Sequence, residues 1–94
     1  MTYGPVKEAH ASATTTVTTG GPVRVVGAML ACAGATGTFA IRNTSATGAI
    51  LMKWTVPADD VVHVPYPGMG LLVSVASQMV LTVPTSGFMN IIYT

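Results

Sequence analysis

The sequence predicts an all-β chain, a small antiparallel β-sandwich preceded by an N-terminal arm. Apolar and polar residues alternate with a period of two along much of the chain, and Gly- and Pro-containing breaks interrupt the alternation at short intervals. No segment holds apolar residues at i, i+3 and i+4 spacing for three helical turns. With 94 residues there is room for one domain.

Each strand follows from its own pattern. In Ala49–Val56, Ile50, Met52, Trp54 and Val56 fall on one face while Leu51, Lys53 and Thr55 fall on the other. Phe39 and Ile41 alternate with Thr38, Ala40 and Arg42. Leu71, Val73 and Val75 repeat the pattern, as do Met79, Leu81 and Val83. The predicted strands are Ser12–Thr19, Val23–Ala31, Thr38–Asn43, Ala49–Val56, Val61–Val64, Leu71–Ala76, Met79–Val83 and Phe88–Tyr93. Turn chemistry separates them: Gly20-Gly21-Pro22, Ala35-Thr36-Gly37, Thr47-Gly48, Pro57-Ala58-Asp59-Asp60, Pro65-Tyr66-Pro67-Gly68 and Pro84-Thr85-Ser86-Gly87. About eight antiparallel strands in two sheets favour a jelly-roll-like sandwich over residues 12–94. Residues 1–11 show no apolar alternation, contain Gly4-Pro5 and carry Lys7, Glu8 and His10, so they read as an arm.

Charge is scarce. Asp, Glu, Lys and Arg make up 7% of the chain and hydrophobic residues 50%, against about 25% charged residues in an average globular protein. No Asp, Glu, Lys or Arg occurs from Val61 to Thr94. A membrane-spanning helix needs about 20 apolar residues in a row. The most apolar stretch, Gly70 to Val83, is interrupted by Ser74, Ser77, Gln78 and Thr82 and is stopped by Pro84. The first eleven residues lack the apolar core of a signal peptide. The expectation is a chain outside the membrane whose missing charge marks contacts with other subunits, since interface cores lose charge and gain Met and aromatics. A homotrimer is favoured, with a dimer next. The net charge of +1 comes from scattered residues and offers no basic stripe for nucleic acid.

Catalytic and ligand chemistry is poorly supplied, so the chain reads as a non-enzyme without cofactor, metal or small-molecule substrate. Glu8, Asp59 and Asp60 are its only carboxylates, too few for a paired-acid site or a Ca²⁺ cage. Cys32 is the single cysteine, in an apolar run where burial is the expected fate. His63 lies between valines in a strand. Gly34-Ala35-Thr36-Gly37 and Gly68-Met69-Gly70 precede strands rather than helices, which excludes a phosphate loop. Asn43-Thr44-Ser45 matches a glycosylation acceptor. Trp54 and Tyr66 form the one aromatic pair that suggests a glycan-binding alternative. In the arm, Tyr3 and Val6 offer apolar anchors while Lys7, Glu8 and His10 offer charged contacts, which makes these five residues a candidate docking element.

Several segments in order carry a resemblance. They are Tyr3-Gly4-Pro5-Val6-Lys7-Glu8-Ala9, Pro22-Val23-Arg24-Val25-Val26-Gly27 and Thr36-Gly37-Thr38-Phe39-Ala40-Ile41-Arg42-Asn43. Ala46-Thr47-Gly48, Thr55-Val56-Pro57-Ala58, Val64-Pro65-Tyr66-Pro67-Gly68-Met69-Gly70-Leu71 and Val80-Leu81-Thr82-Val83 continue the series. In this order the chain resembles small virion structural proteins of tailed bacteriophages, especially those infecting cyanobacteria and other marine bacteria. The resemblance implies a jelly-roll-like module on the virion, assembled in the host cytoplasm. Its implied role is that of a capsid decoration (cement) protein on the capsid surface, bound to the major capsid protein. A tail, neck or fibre-associated module and a host-surface glycan-binding adhesin are the alternatives. No catalytic residue is carried over.

Overall fold

The computed structural model describes residues 6–68 and 70–94. Among the described residues there are nine strands and no helix. The strands are β1 (Lys7–Ala11), β2 (Thr15–Thr18), β3 (Val23–Cys32), β4 (Gly37–Asn43), β5 (Ile50–Val56), β6 (Val61–Pro65), β7 (Leu71–Val73), β8 (Gln78–Thr82) and β9 (Gly87–Tyr93). Sheet A has the order β1-β9-β3-β6, with β7 beside β6 on the same edge of β3, and sheet B has the order β2-β8-β4-β5. Every pairing is antiparallel. The connectivity is a nested hairpin: β1 pairs with β9, β2 with β8, β3 with β6 and β7, and β4 with β5. The hairpin folds over so that β9 also pairs with β3, and β8 with β4. That wrap is a jelly roll in two sheets, as the turn spacing predicts.

The inner faces meet in one apolar layer. Phe39 and Ile41 of β4 and Met79 and Leu81 of β8 oppose Leu30 of β3 and Met89 and Ile91 of β9, all fully buried. No polar or charged residue is buried among those described. Cys32 is buried as a small core side chain, as expected. Fully burying side chains of this size contributes roughly 1.5–3 kcal/mol each, so this layer dominates the stability.

Three expectations are corrected. The segment read as an unpaired arm contains β1, which runs in register with β9 from Lys7 opposite Tyr93 to Ala11 opposite Met89. Its inward residues are Ala9 and Ala11, both buried. They leave too small an apolar signal to register as alternation, and the sandwich begins at Lys7 rather than at Ser12.

The second correction concerns Ile50. A bulge between Ile41 and Arg42 sets Met52 opposite Ile41 but Ile50 opposite Arg42, so Leu51 is the extra residue. Leu51 packs on the core, whereas Ile50 is 47% exposed. Met52 and Val56 keep their predicted buried places, Trp54 is half-buried against the core, and Lys53 is exposed.

Third, two predicted strands are shorter than expected: Ser12–Thr19 contracts to β2, and Leu71–Ala76 to β7. Asn43 explains the second contraction. Its Oδ1 accepts the Ala76 backbone N–H at 2.9 Å, and the Gln78 side chain donates to the Thr44 carbonyl at 2.6 Å. These bonds hold residues 74–77 against the β4–β5 turn instead of a neighbouring strand. Gly48 is required in that turn, because a Cβ there would collide with the Asn43 carbonyl oxygen.

Candidate interaction surface

The two outer faces of the sandwich differ in chemistry. On sheet B the outward residues include Thr16, Thr18, Thr38, Thr55 and Thr82, with Arg42 and Lys53 among them. Arg42 donates from Nη1 to the Gly48 carbonyl at 2.9 Å, which holds its guanidinium over the sheet. Most of these threonines are exposed, while Ala40 and Val80, on the same outward parity, are buried.

Sheet A is built otherwise. Large apolar side chains that remain exposed are Val6, Ile50, Val61, Leu71, Leu72 and Phe88. All but Ile50 lie in sheet A or just ahead of its first strand. The register arranges the outer face in rows. Phe88, Ala31 and Val61 form one row. His10, Asn90, Met29 and His63 form the next. Glu8, Ile92, Gly27 and Pro65 form a third. Gly27 presents no side chain, and a depression of about 300 Å³ opens there, lined by Val26, Gly27, Met29, Pro65, Asn90 and Ile92 among others. The glycine is not demanded by backbone or space: its nearest obstacle to a Cβ is the Val64 carbonyl oxygen at 3.8 Å.

The candidate docking residues sit at the rim of this face. Val6, immediately before β1, is 65% exposed. Lys7, Glu8 and His10 are exposed on β1, with His10 Nε2 3.0 Å from Glu8 Oε2. The His10 ring lies 6.2 Å from that of Phe88 on the adjacent strand. Tyr3 lies outside the described residues. The structure therefore joins Glu8 and His10 to a wider surface that includes Phe88, Met29, Ile92, Val61 and Leu72.

Trp54 and Tyr66 are brought together as well. The indole N–H of Trp54 donates to Tyr66 Oη at 3.3 Å, linking edge strand β5 of sheet B to the loop after β6 of sheet A. Trp54 stands opposite fully buried Phe39, so its ring packs inward. Asp59 and Asp60 form part of the β5–β6 turn: Asp59 Oδ1 accepts the Gly34 N–H and Asp60 Oδ1 the Val61 N–H, each at 2.8 Å. His63 is exposed on the outer face of sheet A. Among the described residues no helix is long and apolar enough to cross a membrane, and no group of three or more His, Cys, Asp or Glu side chains could hold a metal ion.

Sequence reasoning missed the sheet A face, although a signal was present. β3 and β9, the two central strands of sheet A, are apolar within and largely apolar without: Leu30, Met89 and Ile91 point in, while Met29, Phe88 and Ile92 point out beside Arg24 and Asn90. A strand in an antiparallel sheet with one solvated face alternates apolar with polar. Strands that do not alternate are expected to be covered on both sides, here by the core within and by something else without. No family model, characterised protein or solved structure matches the chain.

Proposed function

We propose that this chain is a non-enzymatic structural module of a tailed-phage particle, a capsid decoration protein that self-associates and packs against the shell. The observation that carries the protein-contact part is the concentration of exposed large apolar residues on sheet A, with a threonine-rich face on sheet B. An apolar patch on a soluble chain marks a contact site, and a face poor in Lys and Asp with Met and aromatic side chains has interface-core composition. The virion assignment rests on the family resemblance of the sequence. Decoration requires a compact module that withstands conditions outside a cell, and a two-sheet jelly roll with no buried polar residue among those described suits that need.

On this reading several copies associate, each seats on shell subunits, and contacts from several copies at once raise the effective affinity. The test is electron cryomicroscopy of the intact particle with this chain located in the density. Density for the sandwich on the capsid surface is the expected result. A position on the tail or neck would move the module there, and a particle without the chain would reject a virion role. The glycan-binding alternative is disfavoured, since Trp54 directs its N–H to Tyr66 and packs its ring inward.

A further inference from the structure

Sheet B ends on one side at β2, and the hydrogen-bond pattern shows which backbone groups face outward there. Thr19 and Ser77 continue the register of β2 with β8, in which Thr18 stands opposite Gln78. The Thr19 N–H donates to the Ser77 carbonyl at 3.0 Å. Directly opposite residues in an antiparallel pair alternate between bonded and non-bonded. Thr19, Val17 and Thr15 therefore turn their N–H and C=O groups toward β8, and Thr16 and Thr18 turn theirs away from it. Among the described residues no strand pairs with β2 on that side, and no backbone bond outside the strand ladders uses Thr16 or Thr18.

Natural sheets blunt open edges with charge, proline, bulges or brevity. β1 carries Lys7, Glu8 and His10 on one edge of sheet A. On the opposite edge, β6 ends at Pro65 and β7 has three residues. At the far edge of sheet B, β5 has Lys53 and the Leu51 bulge, and the Trp54–Tyr66 bond ties it to sheet A. β2 has brevity alone. It spans four residues, within a run from Ala11 to Gly21 that holds no Asp, Glu, Lys, Arg or Pro. Val17, half-buried against the core, lies at this open side.

We propose, resting on the shell-binding reading above, that the edge of β2 takes an extended segment of a shell subunit as a further strand of sheet B. N–H and C=O groups presented at alternate residues are matched by another extended backbone, which makes the occupant a strand. The edge carries no charge, so the segment is uncharged where it pairs. Its inner side chain beside Val17 is apolar, and its outer ones beside Thr16 and Thr18 are polar. Self-association through sheet A leaves this edge unused in every copy. An oligomer then offers several such edges to the shell at once, which raises the effective affinity of a short pairing.

The experiment mixes phage shells assembled without this chain with the wild type, Thr16→Pro and Thr16→Val. Thr16→Pro removes an N–H that makes no bond within the chain, so its unfolding midpoint is expected to stay near the parent's. It is expected to bind the shells roughly tenfold or more weakly, through the lost edge bond and the obstructing ring. Thr16→Val keeps the N–H and is expected to bind as the wild type does. Amide exchange of the wild type gives a second reading that needs no variant. Thr16 and Thr18 are expected to exchange quickly in the unbound chain and roughly tenfold or more slowly on the shell. Equal binding by Thr16→Pro, or fast exchange at Thr16 and Thr18 on the shell, would overturn the added strand while leaving shell binding intact. A lower molar mass for Thr16→Pro than for the wild type would assign the edge to a second copy and overturn the shell segment. A wild type that does not bind the shells would overturn the decoration reading and this inference with it.

Discussion

Trp54 and Ile50 were placed in one inward row by the alternation of β5, yet they have different surroundings. Trp54 packs partly on the core and donates to Tyr66 at 3.3 Å, whereas the bulge at Leu51 turns Ile50 outward beside Arg42. Trp54→Ala is therefore expected to cost about 2–3 kcal/mol, below the 3–5 kcal/mol of a fully enclosed aromatic, because water can enter the space it leaves. Trp54→Phe keeps most of the packing and loses the hydrogen bond, for about 0.5–1.5 kcal/mol. Ile50→Thr is expected to lie within about 0.5 kcal/mol of the parent, as exposed substitutions usually do. Urea unfolding midpoints of the three variants check the order. A loss of several kcal/mol for Ile50→Thr would place Ile50 back in the core.

At the scale of elements, strands with strong alternation were legible: Phe39 and Ile41 in β4, Met52 and Val56 in β5, and Met79 and Leu81 in β8 are all buried as read. Two kinds of feature were not. A bulge adds one residue to one strand and reverses the parity beyond it, and neither the Leu51 bulge nor a second in β3, where the register with β9 skips Val26, leaves a mark in composition. β1 was missed because its inward side chains are alanines, which fit under the sheet edge without contributing much apolar area. Only its pairing with β9, 80 or so residues away in the chain, makes it a strand. A chain starting at Ser12 should thus lose about 2–4 kcal/mol from five paired positions. Its β9 amides, from Phe88 to Tyr93, should exchange hydrogen faster. Unchanged stability and protection would show that the segment is a dispensable arm after all.

For the whole molecule, the informative feature is the difference between its two outer surfaces. Threonines, Arg42 and Lys53 make much of the outer side of sheet B polar, and Phe88, Met29, Ile92, Val61 and Leu72 make much of that of sheet A apolar. Scarcity of charge pointed to subunit contacts from the sequence alone, but only the strand order shows which residues share a face. Neighbours across sheet A such as His10, Asn90, Met29 and His63 come from four strands spread over the chain. The most direct measurement is the molar mass of the wild-type chain and of Met29→Lys by sedimentation equilibrium, with unfolding midpoints recorded alongside. Met29 is half-buried on the outer face, so a lysine there can reach water in the single chain but would be trapped in a contact. The expected result is an oligomeric wild type and a monomeric Met29→Lys with nearly the same unfolding midpoint; a monomeric wild type, or a Met29→Lys oligomer as tight as the parent, would contradict the assignment of sheet A as the contact face.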